Sequence, residues 1–298
     1  MPTVTRNKPP ARKPINSKKP AVRASVPPKK PAGASNGKLG RQSGLEGTPP
    51  TTIFMYGPSG VGKTSIWAYL PDVGFLFDPK EEGIKDLVDF KEVPEPKHME
   101  MAEDFEGTLS TLADIANQEW NIKNLVLDSA TGFELMCFQY HCAEFFNNDW
   151  SKEGFYAFQQ GPKNAAKTDW PRFLDALDDV RRSGISVFLI GHSQVKGVAN
   201  PDGENYDQHI PYLDKETWQQ THRWAKAVLF YQVEIGLERK GQKVKAIAGS
   251  EERCIYTQLG STFNAKNRWG MEARIDAGSS PEEAYNNFIK AYLKAANK

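Results

Sequence analysis

The chain has 298 residues, 39% of them hydrophobic and 25% charged, enough to bury one large α/β core or two small ones. Its three cysteines do not suggest a disulfide framework, and no apolar run suits a secretory leader or a membrane span, so a cytoplasmic protein without membrane contact is expected. The net charge of +1 hides a split: residues 1–50 hold eleven Lys/Arg against Glu46 alone, leaving 27 Lys/Arg against 36 Asp/Glu in the remainder.

Ten of the twenty prolines also fall in the first fifty residues, and apolar periodicity is absent there. Such a segment buries too little to offset its ordering entropy. Residues 1–48 therefore read as a disordered basic tail, and 49–298 as one domain. The tail suits a loose, salt-sensitive grip on nucleic-acid phosphates; a solubilising leader is the plainer alternative.

The domain opens on Thr51 to Tyr56, a β-branched and aromatic strand. It runs into Gly57-Pro58-Ser59-Gly60-Val61-Gly62-Lys63-Thr64, which fits G-x-x-x-x-G-K-[ST] at every fixed position. The glycines let consecutive backbone N–H groups turn inward toward phosphate oxygens. Lys63 brings positive charge to the β- and γ-phosphates, and the Thr64 hydroxyl is a Mg²⁺ ligand. A helix from Thr64 to Leu70, stopped by Pro71, adds its N-terminal dipole. ATP with Mg²⁺ is the expected ligand.

Val73 to Asp78 reads as a buried strand, followed by the charged turn Pro79-Lys80-Glu81-Glu82-Gly83. An acid placed there suits positioning or deprotonation of an attacking water; Glu81 is the first candidate and Glu82 the second, with solvent-facing turn residues the alternative. Phe90 to Val93 suggests another strand. Phe105, Leu109, Leu112 and Ile115 make a helical stripe within Met101 to Gln118. Asn121 to Ser129 is an apolar strand ending in Asp128, the second expected Mg²⁺ ligand. Thr131 to Phe146 follows as a helix. Its Cys137, His141 and Cys142 sit at zinc-like spacing, but a fourth nearby ligand is missing and the apolar company indicates core.

Asn147 to Lys167 is a polar excursion with Trp150, Phe155, Tyr156 and Phe158 among lysines, read as a packed flap rather than a base-stacking platform. A helix capped by Thr168 or Asp169 follows. Gly184 to His192 is the clearest buried strand, and His192 at its polar end is a candidate γ-phosphate sensor. Lys196 to Asp214 reads as a nineteen-residue polar loop, a length that marks function or disorder. Lys215 to Phe230 reads as a helix leading to a strand over Val228 to Ile235. Arg239 to Gln242 turns a hairpin into Val244 to Ile247, Cys254 to Thr257 is the last strand, and Pro281 to Ala296 the terminal helix.

Phosphate loop, acid strand, polar-ended strand and closing hairpin in this order resemble a RecA-type P-loop ATPase core over residues 51 to about 275. Asp128-Ser129 resembles the Asp-Ser of that superfamily, and Lys266-Asn267-Arg268-Trp269-Gly270 the Lys-Asn-Arg-aromatic-Gly motif of bacterial RadA proteins. The overall likeness is to phage ATP-binding proteins of the AAA-domain type that act as RecA-like single-strand annealing proteins. The resemblance implies an α/β fold with a mainly parallel central sheet flanked by helices and a β-hairpin extension. It also implies ATP hydrolysis, a homo-oligomer in which Lys266 and Arg268 reach a neighbour's nucleotide, single-stranded DNA as partner, and work in DNA recombination, repair or replication in a bacterial or phage-infected cell. One departure is the loop at 196–214, where Asp202, Glu204, Asp207 and Asp214 face Lys196 alone, an unsuitable charge for holding DNA. Two other readings compete: a P-loop small-molecule kinase, and a nucleotide-gated scaffold with little turnover.

Overall fold

The computed structural model describes residues 48–81, 83–200, 203–240 and 243–296, the side chains of 237–250 aside. The basic segment before Thr48, Glu82 and the hairpin turn at 241–242 lie outside the described residues. Thr48 itself is buried, with its hydroxyl 3.1 Å from that of Tyr292.

A nine-stranded sheet organises the domain. Its strands in chain order are β1 (Thr52–Gly57), β2 (Val73–Phe77), β3 (His98–Met101), β4 (Asn124–Asp128), β5 (Ser186–Val198), β6 (Tyr206–Pro211), β7 (Ala227–Lys240), β8 (Lys243–Tyr256) and β9 (Arg274–Asp276). The spatial order is β3-β2-β4-β5-β1-β7-β8-β9, with β6 paired to β5. The run from β3 to β7 is parallel, whereas β8, β9 and β6 pair antiparallel. Because both faces of a parallel sheet are covered, β1, β2 and β4 are buried at every position and read as nearly unbroken apolar runs.

Alternate residues of each strand feed two cores. Ile53, Met55, Phe75, Phe188 and Ile190 pack with α1 (Lys63–Trp67), α2 (Gly83–Asp89) and α8 (Pro281–Ala296). Phe54, Leu76, Leu125, Leu127 and Leu189 pack with α3 (Phe105–Ala116), α4 (Ala130–Phe146), α6 (Trp170–Arg182) and α7 (Lys215–Trp224). A further helix, α5 (Gln160–Thr168), lies before α6. Among the described residues no helix is long and apolar enough to cross a membrane.

Several expectations are corrected. Residues 90–93 form turns; the strand is β3, and its polar sequence and exposed edge position hide it from an apolarity reading. The excursion at 147–167 contains the unexpected helix α5, while the fully buried Phe155 agrees with the packed flap that was expected there. The loop expected at 196–214 is largely a β-ribbon, with Ser193 opposite Pro211 and Val198 opposite Tyr206. Asp214 instead caps α7, accepting from the Glu216 N–H at 2.9 Å. α7 stops at Trp224, because Ala225 turns extended, φ −63° and ψ 133°, to start β7. The two short strands expected after the hairpin turn are one, β8. Asp169 stands at the start of α6 without capping it, since its carboxylate takes His141 at 2.6 Å; that pairing occupies the imidazole of the zinc-like trio.

Candidate active site at the phosphate loop

β1 lies between β5 and β7, and the register brings Gly57 opposite His192. β2 and β4 end level with each other, Phe77 opposite Asp128. The carboxyl ends of β1, β2, β4 and the buried part of β5 therefore converge, the place where open α/β sheets bind ligands. The loop after β1 turns through Gly60 and Gly62, whose φ of 77° and 102° fall in the left-handed region that glycine tolerates. Gly62 caps α1, leaving the first N–H groups of the helix facing the loop.

Lys63 curls back over the loop, donating to the Gly57 carbonyl at 3.1 Å and the Pro58 carbonyl at 2.8 Å. Burial lowers its pKa, against the opposing pull of Asp128 and Glu81. Thr64 donates its hydroxyl proton to Asp128 Oδ2 at 2.6 Å. Burial pushes the Asp128 carboxyl up to about 6 despite this hydrogen bond. Two hard oxygen donors held together beside a phosphate loop fit Mg²⁺, which takes oxygen ligands and usually keeps several waters.

The turn expected to supply an acid does so through an Asx turn. Asp78 Oδ1 accepts from the Lys80 N–H at 2.9 Å and its carbonyl from the Glu81 N–H at 3.1 Å. This folds the chain back after Pro79 and places Glu81 Oε1 2.9 Å from His192 Nε2. The hydrogen bond to His192, then the charges of His192 and Lys63, hold the Glu81 carboxyl below its usual range against burial. Glu81 thus stands charged beside Lys63 and Asp128, as a base or water-orienting group requires.

Sequence reasoning passed over Asp78 as a site residue. Its Oδ2 accepts from both the N–H (3.0 Å) and the hydroxyl (3.1 Å) of Ser129, tying the end of β2 to the turn after Asp128. Gly132 makes room for it: a Cβ there would lie 1.9 Å from the carboxylate. The signal was present in Asp78-Pro79 and Asp128-Ser129, two strand ends that each carry an acid. Glu134 was also passed over. It is buried on α4 and accepts from the Asp214 N–H at 2.8 Å.

A family model described as "AAA domain" matches residues 50–269. The chain belongs to this AAA-domain family. No curated protein matches it. The family is one of P-loop ATPase domains, and the matched span holds the loop, Asp128, Glu81, His192 and the Lys-Asn-Arg segment.

That segment lies elsewhere in the AAA domain. Lys266 forms an antiparallel bridge with Val228, itself level with Phe54, and the chain continues from there away from Gly57. Its ammonium donates to the His222 carbonyl at the end of α7, and burial lowers its pKa. Asn267 is a staple, donating to the Thr257 carbonyl at 3.0 Å and accepting from the Trp269 and Met271 N–H groups. Arg268 is exposed and, among the described residues, makes no hydrogen bond or ion pair. Neither base touches the phosphate loop of its own chain.

Proposed function

We propose that this AAA domain is a Mg²⁺-dependent ATPase of the RecA type that works as a homo-oligomer on single-stranded DNA, in phage or bacterial recombination, repair or replication. The observation that carries the ATPase reading is the joined constellation Lys63, Thr64, Asp128, Glu81 and His192 at the carboxyl ends of four parallel strands. Thr64 and Asp128 would hold a magnesium ion, which would supply neutralisation of phosphate charge. Lys63 exchanges loop carbonyls for phosphate. Glu81 orients or deprotonates the attacking water, and His192, hydrogen-bonded to it, reports the change to β5. The exposure of Arg268, remote from its own loop, supports a role at a neighbour's nucleotide, and the observed order of loop, acid strand, polar-ended strand and closing hairpin supports the RecA-type reading.

One observation favours a second reading. A cavity of about 860 Å³ opens beside Ser59 and Glu81, lined further by Glu134, Phe138, Tyr156 and Tyr212. A phosphate acceptor held there would make the protein a small-molecule kinase. ATP hydrolysis by the purified protein with and without single-stranded DNA, with sedimentation followed in parallel, separates the two. Phosphate release stimulated by DNA, together with assembly, is the expected result. Nucleotide bound with neither effect would favour the kinase or a nucleotide-gated scaffold.

A further inference from the structure

The strand order gives the phosphate loop two sides. β5 and then β4 lie on one side of β1, and β7, β8 and β9 on the other. Thr64, Asp128, Glu81 and His192 gather on the first side. A triphosphate whose γ end meets that cluster runs back along the loop, so its nucleoside end leaves toward the second side. There the loop meets Tyr231 of β7, which is fully buried. Gly57 lies against the Tyr231 backbone, and a Cβ on Gly62 would sit 3.7 Å from the Tyr231 hydroxyl.

Register sets Tyr231 opposite Ile255 and Val233 opposite Arg253. Side chains two apart share one face of a strand. Val233, Arg253 and Glu251 therefore continue the face that Tyr231 and Ile255 turn toward α1 and α8. With the turn between β9 and α8 they line a cavity of about 480 Å³, a size usual for small-molecule sites. That turn is firmly built: Gly278 has φ 65°, Asp276 Oδ1 accepts from its N–H at 2.8 Å, and Glu283 accepts from the Ser279 N–H and hydroxyl at 2.9 and 3.1 Å. The Ser279 carbonyl in turn accepts from Arg253 Nη1 at 3.3 Å, yet the buried Arg253 Nε–H has no acceptor among the described residues. A buried donor without a partner is costly and marks a place for one. Arg253 also stands close enough to the loop for its charge to reach the Tyr231 hydroxyl, opposing the burial that pushes this group up to about 12.

We infer that this cavity receives the nucleoside half of the bound nucleotide and that Arg253 anchors it, donating Nε–H to an acceptor on the ribose or the base. The rim decides against a phosphate. Glu251 and Asp276 stand beside the single guanidinium, while Glu252 is paired with Arg274 at 2.8 Å. Two carboxylates against one cation repel an anion but accept from ribose hydroxyls and base N–H groups. Val233, 38% exposed, offers an apolar wall to a ring. The inference rests on the nucleotide-binding reading above.

The test is calorimetry of the full chain with Mg²⁺ and either a non-hydrolysable ATP analogue or inorganic tripolyphosphate, which carries the phosphates without a nucleoside. The wild type is expected to bind the analogue more tightly. Arg253→Ala should weaken the analogue at least about tenfold and leave tripolyphosphate within about twofold. Val233→Trp fills the cavity from the facing strand and should show the same pattern, so the test survives if Arg253→Ala proves unstable. Wild-type affinity for the analogue in Val233→Trp or in a folded Arg253→Ala overturns the inference, as does a wild type that binds both ligands equally. Matched loss of both ligands by Arg253→Ala at an unchanged melting temperature also overturns it, because Arg253 would then be a phosphate contact. A wild type that binds neither ligand sinks the nucleotide-binding reading itself.

Discussion

Glu81 and Asp128 are two carboxyls pushed in opposite directions by their surroundings, one held charged by His192 and Lys63, the other raised by burial. On the proposed function this division suits two roles, proton work for the half-buried charged group and the cation for the buried one. Glu81→Gln keeps the shape and the contact to His192 while removing the base. Turnover should fall about 10²- to 10⁴-fold with nucleotide affinity nearly unchanged, read by single-turnover hydrolysis beside equilibrium binding. Equal turnover would move the role elsewhere. Lys63→Ala strips the loop of its cation and should abolish turnover; retained hydrolysis would undo the loop assignment. At this scale the sequence was legible where chemistry is local. Eight consecutive residues spell the phosphate loop, and Asp128 closes an apolar strand. Asp78 was not legible as a site residue, because its partner Ser129 lies fifty-one positions away and meets it only once β2 and β4 pair.

Elements were legible where burial is lopsided or complete. β1, β2, β4 and the inner half of β5 show as apolar runs, and α3, α6 and α8 as stripes. The ribbon of β5 and β6 was not, since neither face is fully buried and its polar residues look like loop. How elements are pinned to one another is likewise invisible beforehand. Trp67 at the end of α1 is fully buried between Phe188 of β5 and Phe288 of α8, with ring centroids 4.7 and 5.2 Å away. Phe288→Ala should cost about 3–5 kcal/mol, seen as a lower denaturant midpoint with an unchanged slope. A loss of a few tenths would mean that α8 merely lies against the domain.

Glu134 makes a second pin, joining α4 to the start of α7. Burial, then the nearby Asp214 charge, raises its pKa from the usual 4.5 to about 8, although the Asp214 N–H pulls the other way. The folded state therefore binds a proton that the unfolded chain releases near 4.5. Its contribution is complete below that value and is lost as pH rises through about 8. Glu134→Gln stays neutral and keeps the accepting oxygen. The wild type should melt at progressively lower temperature across this interval, and the variant should lose most of that slope. Parallel slopes would show that Glu134 is ionised throughout.

The whole molecule poses a question of placement. Arg268 is exposed, follows a stapled Asn267 and sits on the stretch that leads away from Gly57. A base that stabilises charge on a phosphoryl group must reach it, so if Arg268 acts it acts on another copy. Lys266 is less free, since its ammonium is tied to the end of α7; its loss should disturb the local fold first. Arg268→Ala should bind nucleotide normally and lose DNA-stimulated hydrolysis. Lys63→Ala, by contrast, should lose turnover while keeping its arginine. In a head-to-tail assembly each site joins the loop of one copy to the arginine of the next. Random mixing of the two inactive variants in equal amounts then builds wholly wild-type sites at roughly a quarter of the interfaces. A mixture should therefore recover about that fraction of DNA-stimulated activity, whereas two groups acting within one chain would recover none. The mixed-variant assay reads this directly: recovery places Arg268 in the neighbour's site, and a silent mixture of variants that still co-assemble returns it to a surface turn.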